Sequence, residues 1–371
     1  MKRLGSLIAV IALTGLSLSS AQVASASPSF ELPGERFSWS QMAPQRGSTE
    51  GYGEKYTIDA TLSGPNGETG SLYLSLMIAN LGPGDHKMTS RGSVKYDGLE
   101  VKWNQKLKSK KWKSHAKPLS IQAGQVTLSE EGGALILSLN HPKLAFKVAL
   151  SELAQNWQPK GGGLKLGSHH TVLQTIPLAT LKGTLQFTDQ QSEPVSVTGK
   201  AWGSHSRSQL GPHEQNLWSS KIRAIDLDQD RTLYLRTLKT TRDFEAKQLS
   251  YVILTQGERL VFQGTSFDLN VSESFVDKKM HGYKVPTQFT IDVSDAQDPS
   301  RRLKGQFKVM KRTRRRNPIA KRSWAERMII ERFAKPMEYR YTLRYDLTLS
   351  GSSKGTYQGE ATYEVYHFNQ E

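Results

Sequence analysis

The chain runs to 371 residues with a formal net charge of +16, 36% hydrophobic residues and no cysteine. The missing cysteine excludes thiol catalysis, a disulfide framework and the lipid-modified cysteine of a bacterial lipoprotein. The length allows two domains of ordinary size, and no stretch beyond Ser20 reaches the roughly 18 apolar residues of a membrane-spanning helix.

At the N-terminus Lys2 and Arg3 precede an uncharged apolar run from Leu4 to Leu18, then Ala24, Ser25 and Ala26. This is the pattern of a secretory leader with a small-x-small cleavage site. Removal of residues 1–26 leaves a mature chain of residues 27–371, destined for the periplasm or for secretion.

The mature chain alternates. Tyr56, Ile58, Ala60 and Leu62 are interleaved with Thr57, Asp59 and Thr61. Period-two runs recur at Leu72–Ile78, Leu135–Leu139, Val195–Ala201, Leu233–Leu235, Phe289–Val293, Phe307–Val309 and Tyr341–Leu349. Such runs place one face on a core and the other in solvent. Turn signals separate them, among them the segments 64–67, 82–84, 97–98 and 131–133, and Gly161 to Gly163 form a glycine-rich loop. Strands beginning this often predict an all-β protein, not a βαβ one. A polar seam at Asp189–Pro194 divides the chain into 27–190 and 191–371, each with strands enough for one small antiparallel barrel. A barrel of about eight strands is filled by side chains or holds one small ligand.

One helix is expected. Ser323 and Glu326 form a capping box ahead of Trp324–Ala334, and Pro336 stops it. Trp324 and Met328 fall on one side of the wheel, with Ile329, Ile330 and Phe333 on the other. That pattern predicts packing between barrel and loop in preference to lying on a membrane.

Charge is local. Residues 301–335 carry fourteen Lys or Arg against Glu326 and Glu331, and residues 102–117 carry seven Lys and no acid. The densest piece holds Arg312, Arg314, Arg315 and Arg316. In an exported chain these residues point to anionic lipid or lipopolysaccharide phosphate as partner, and not to nucleic acid. The alternative is a solvated loop.

Motifs for a nucleophile elbow, a zinc helix, a P-loop or a dinucleotide turn are absent, so no cofactor is implied, and the nine scattered histidines give no metal-ligand spacing. One segment is unusual: Trp202 and His205, then Gly211, Pro212, His213 and Trp218. Trp and His pair an apolar body with a polar tip, which suits the mouth of an apolar pocket. Alternation puts Val195, Val197, Gly199 and Ala201 on one face and Trp202 on the other. Trp202, His205, His213 and Trp218 are therefore the candidate ligand-binding residues, with the two indoles expected on neighbouring strands; plain core is the alternative.

On these residues, on Leu303 to Phe307, Trp324, Pro336, Tyr339 and Glu360 to Tyr363, and on Gly51 to Gly53, the chain resembles the two-domain lipocalin-like (calycin) proteins that include the fungal survival factors. A sister branch contains carotenoid hydratases and cyclases, whose aromatic-x-Asp-His segment here reads Trp202, Gly203, Ser204, His205. Ser204 cannot protonate an alkene. The resemblance implies two tandem lipocalin-like barrels and a hydrophobic ligand. On the survival-factor side it implies carriage of sphingolipid-like lipids and a role in stress survival. The functional reading is therefore an exported carrier of a lipid or isoprenoid, with no catalytic residue assigned. The alternative is a terpenoid or carotenoid hydratase- or cyclase-type enzyme, which a proton donor facing the pocket would distinguish. An outer-membrane barrel fits poorly with the charge and the capped helix.

Overall fold

The computed structural model describes residues 27–45, 52–80, 86–190, 193–279, 282–320, 323–351 and 354–369. The expected leader, residues 1–26, lies outside them. The chain is all-β, with two antiparallel sheets in tandem.

Among the described residues the first sheet has fifteen strands. Its main path runs, in spatial order, through the strands Leu99–Leu107, His86–Tyr96, Thr69–Asn80, Gly53–Ser63, Val195–Ser208, His169–Gln186, Leu144–Glu152, Ala134–His141, Val126–Glu131, Ser120–Ala123 and Trp112–His115. The two ends of this path come back together. The Gln105 amide donates to Gln125 Oε1 at 2.7 Å, and the Trp112 indole donates to the His86 carbonyl at 2.9 Å, so the sheet is a nearly closed barrel. The second sheet has nine strands, in the order Arg259–Thr265, Gln248–Gln256, Arg231–Thr240, Asn216–Asp226, Gly355–His367, Met337–Ser350, Arg302–Arg316, Tyr283–Ser294 and Asn270–Asp277. It curls into a half-barrel.

Alternation decides what each strand buries. Tyr52, Glu54, Tyr56, Ile58, Ala60 and Leu62 all face the interior of the first barrel. In the half-barrel Tyr339, Tyr341, Leu343, Tyr345, Leu347 and Leu349 do the same. A third apolar cluster joins the sheets: Phe30, Trp157 and Leu173 from the first pack with Tyr234, Tyr251 and Ile253 from the second. Trp157 lies 5.1 Å from the Tyr251 ring and donates its indole N–H to Gln263 Oε1 at 3.2 Å.

The change of sheet comes at residues 209–215, after the Val195–Ser208 strand. The polar seam at Asp189–Pro194, part of which lies outside the described residues, connects the long strands His169–Gln186 and Val195–Ser208, which pair from Leu185 and Val195 onward. A polar turn marks a hairpin as readily as a domain boundary, and only non-local pairing separates the two.

The expected helix is present as Trp324–Phe333, but it is not packed between barrel and loop. Trp324 is 67% exposed and Phe333 66%. The Arg327 amide donates to the Ser323 carbonyl at 3.0 Å, consistent with Ser323 as the cap; the Glu326 side chain lies outside the described ones. No helix among the described residues is long and apolar enough to cross a membrane.

Candidate functional site

The interior of the first barrel is polar at one end and apolar at the other. At the apolar end Leu62, Leu72, Val94, Phe146, Leu185 and Val197 close on one another and leave no space wide enough for a water molecule. At the polar end sits a carboxyl–imidazole pair. The Gly53–Ser63 strand brings Glu54, the Val195–Ser208 strand brings His205, and the register places Tyr56 opposite His205. Glu54 and His205 are each 1% exposed.

Glu54 Oε1 lies 2.6 Å from His205 Nε2. The Tyr52 hydroxyl donates to Glu54 Oε2, and the Tyr56 hydroxyl sits 2.6 Å from Glu54 Oε1 and 2.5 Å from the Met42 carbonyl. The Tyr56 ring stacks on the imidazole with centroids 4.4 Å apart. On the far side His205 Nδ1 is 2.6 Å from Gln174 Oε1. The Gln174 amide nitrogen donates to Gln158 Oε1 at 2.8 Å, and Gln158 donates to Glu35 at 2.8 Å. Because the Gln174 N–H is spent on Gln158, its oxygen faces His205, and Nδ1 must carry a hydrogen. Glu54 and Nε2 then face each other across a position for one further proton. Tyr56 has a single hydrogen for two acceptors, so the cluster has fewer hydrogens than it has close contacts. Such a cluster can release and retake a proton with little rearrangement.

Burial sets the electrostatics. Desolvation holds the His205 imidazole below its ordinary pKa; the Glu54 hydrogen bond and charge push the other way without overcoming it. Desolvation, reinforced by Glu54, pushes the Tyr52 and Tyr56 phenols up, so both remain hydrogen-bond donors. The sign for stability follows. Unfolded His205 takes a proton near pH 6.5, whereas the folded chain resists until lower pH. Its contribution is complete above that pH and is lost as pH falls through the folded value, at up to about 1.4 kcal/mol per pH unit. Urea midpoints measured between about pH 7 and pH 5 should fall along this slope. His205→Gln should flatten it, and an unchanged slope would remove His205 as its source.

A short lid closes this end. The 3₁₀ turn Trp39–Met42 follows Phe37, and all three large apolar side chains, Phe37, Trp39 and Met42, are buried. The turn is latched by three bonds: Trp39 indole to the Gly133 carbonyl at 3.0 Å, Tyr56 hydroxyl to the Met42 carbonyl, and Arg207 to the Ala43 carbonyl at 3.4 Å. Beside it an open cleft of about 460 Å³ is lined by Arg36, Trp39, Gln41, Glu130, Gly133 and Glu152.

Of the four ligand-binding candidates, only His205 is in this cluster. Trp202 has the opposite parity and points out of the barrel, its ring 5.8 Å from the Arg223 guanidinium of the second sheet. Trp218 pairs with Lys239 and His367 in that second sheet, so the two indoles are not on neighbouring strands. His213 sits in the one-turn helix Pro212–Gln215, its carbonyl accepting from Asn369 at 3.2 Å. Ser204 faces outward and bonds Thr57 Oγ1 at 2.7 Å. Glu54, Tyr52, Gln174 and the lid were missed by sequence reasoning. Parity was the available signal: extending the Tyr56–Leu62 face two residues back reaches a carboxylate.

The four arginines of the basic run are not in a loop but in the strand Arg302–Arg316, where they pair with residues 338–341 of the next strand. Arg315 binds Asp277 through Nε at 2.7 Å, and both Arg314 and Arg316 approach Glu338. Arg312 lies over the Phe275 ring at 5.3 Å. Three of the four are therefore held by carboxylates of their own chain. Among the described residues no group of three His, Asp or Glu side chains is placed to hold a metal ion.

Neither a family model nor a curated protein matches the sequence. Solved structures do match the fold. A protein provisionally named AttH from Nitrosomonas europaea superposes with a TM-score of 0.54 at 11% identity, over 90% of this chain and 97% of that one. Kievitone hydratase from Nectria haematococca gives 0.53 at 10% identity, over 92% and 97%. CghA in complex with Sch210972 gives 0.53 at 8% identity, over 85% and 89%. The fold is thus that of lipocalin-like barrel proteins, and it is shared with a hydratase. None of these three is a survival factor, so the expected closeness to that branch has no support.

Proposed function

We propose that the first barrel binds an apolar small molecule at its lidded end and that the Glu54–His205 pair transfers a proton to it, in a hydratase- or cyclase-type reaction. The observation that carries this reading is a carboxyl and an imidazole, 2.6 Å apart and buried, on the inner face of an otherwise apolar barrel. The chemistry balances. An electron-rich double bond takes, at one carbon, a proton that the Glu54–His205 pair has picked up. The cation left at the other carbon is captured by water in a hydration, or by a second double bond in a cyclisation. The proton then released from the water or from carbon returns to the pair. Tyr56, stacked on His205, holds the imidazole plane in place, and the apolar walls keep bulk water from quenching the cation. The departure at Ser204 is answered in space by Glu54, which supplies the carboxylate from a neighbouring strand.

A carrier role is the second reading, favoured by the apolar end of the same barrel. The space there admits no water-sized sphere, against the roughly 300–1,000 Å³ of ordinary ligand pockets. Any ligand, compact or long, therefore requires the barrel to open, and the Trp39–Met42 lid is the segment placed to move. The role in stress survival rests on the sequence resemblance alone. Export after removal of residues 1–26 belongs to the same proposal. It is supported by the leader pattern of Lys2, Arg3, the apolar run to Leu18 and the small residues at Ala24 to Ala26. N-terminal sequencing of exported protein should begin near Ser27, and an intact Met1 would contradict it.

Binding is tested with a polyene alcohol such as geranylgeraniol. Quenching of intrinsic fluorescence should come from Trp39, Trp103 and Trp112, which are buried in the first barrel, and should survive Trp202→Phe and Trp218→Phe. Trp39→Ala should unlatch the lid and speed association several-fold. A quench abolished by Trp202→Phe would move the ligand to the outer face between the sheets. Glu54→Gln should bind as tightly as the parent and convert nothing. Conversion undiminished in Glu54→Gln would end the proton-transfer reading, and binding without conversion by either protein would leave the carrier reading.

A further inference from the structure

The half-barrel has a basic end that the barrel chemistry does not use. The strands Arg302–Arg316 and Met337–Ser350 pair up to Arg316 and Glu338, and the helix Trp324–Phe333 lies in the connection between them. The helix is therefore carried on the end of the hairpin that bears the basic run. The edge hairpin joins the same end: Asp277 binds Arg315, and the Tyr283 hydroxyl donates to the Lys335 carbonyl at 2.7 Å.

Exposed apolar side chains concentrate here. Seven large hydrophobic residues are exposed among those described, and six of them, Val271, Val276, Met310, Trp324, Met328 and Phe333, belong to these segments. The same strand and helix carry cations without a carboxylate partner among the described residues: Lys308, Lys311, Arg312 and, in the last turn of the helix, Arg332. A protein that leaves Trp and Phe two-thirds exposed pays in solubility unless another surface covers them.

We infer that this end of the half-barrel docks on an anionic phospholipid bilayer, with Trp324, Met328 and Phe333 entering the headgroup region and Lys308, Lys311, Arg312 and Arg332 facing lipid phosphate. Charge complementarity selects the occupant. Indole and phenyl side chains settle at the headgroup level of a bilayer, and lysine and arginine beside them meet its anionic surface. A nucleic acid would take the cations but gives Met328 and Phe333 no apolar medium. Arg314, Arg315 and Arg316 have a different part: their bonds to Glu338 and Asp277 brace the strand end that presents the helix.

Co-sedimentation of the full chain with phosphatidylglycerol–phosphatidylcholine vesicles tests this. Wild type should bind, bind pure phosphatidylcholine vesicles weakly, and release as salt rises. Replacing Lys308, Lys311 and Arg312 with Ser should lower the partition coefficient roughly 100-fold, a factor of about 5 for each charge. Trp324→Ser with Phe333→Ser should lower it by at least about 10-fold. Because these side chains are exposed, far-ultraviolet circular dichroism and melting should match wild type. Vesicle binding equal to wild type in both variants overturns the inference. So does tighter binding to duplex DNA than to anionic vesicles at equal salt, which would assign the surface to nucleic acid.

Discussion

Replacing Glu54 with Gln should lower turnover of an alkene substrate by about 10²- to 10⁴-fold, the usual size of a lost general acid, while the fold persists. Gln keeps the shape and one acceptor oxygen, enough for one of the two hydroxyls of Tyr52 and Tyr56, but it has no acidic proton to give to a substrate. The effect should fall on kcat, because the carboxyl is called on only as charge develops on the substrate. Glu54→Ala tests a separate matter. It leaves the Tyr52 and Tyr56 hydroxyls and His205 Nε2 without their carboxyl, at about 1–3 kcal/mol for each buried group left unpaired. Steady-state kinetics read beside urea denaturation separate the two effects. A Glu54→Gln rate within a factor of two of the parent would mean that Glu54 is a structural plug.

Trp157→Ala should cost about 3–5 kcal/mol, the range for truncating a buried Trp. The indole is 1% exposed, lies against Tyr251 and binds Gln263 of the second sheet. Its loss opens a cavity in the cluster that joins barrel to half-barrel and leaves Gln263 Oε1 with only the Gly34 amide, at 2.8 Å. Urea unfolding should shift to lower denaturant and spread into two steps as the sheets uncouple. A shift worth less than about 1 kcal/mol would show that the cluster relaxes into the gap and that the sheets are joined elsewhere.

The strands were legible in the sequence, because a period of two survives wherever one face is buried. Tyr56 to Leu62 and Tyr341 to Leu349 bury the residues that alternation predicts. The site was half legible. His205 stood out as a histidine among tryptophans and glycines, but its partner lies 151 residues away, and only the pairing of the Gly53–Ser63 and Val195–Ser208 strands brings Glu54 to it. Gln174 was hidden for another reason: a register shift between Ile176 and Ala179 breaks the parity of its strand. Trp202 misled because both faces of its strand are covered, one by the barrel core and the other by Arg223, so an aromatic on either face looks like pocket. The basic run misled for a similar reason. Charge density reads as a docking surface from sequence, yet the structure ties Arg314, Arg315 and Arg316 to Glu338 and Asp277 and leaves neighbouring cations and an uncovered helix in their place.

Proton delivery to carbon inside the first barrel is tested most directly by isotope incorporation. The purified chain is incubated in deuterium oxide with an apolar extract of its host, and the products are compared by mass spectrometry with those from Glu54→Gln and His205→Gln. The account predicts compounds carrying a carbon-bound deuterium in the parent reaction, strongly reduced in both variants although each still binds the same extract components. Deuterated products at equal yield in all three, or binding by the parent with no deuterated product at all, would contradict it.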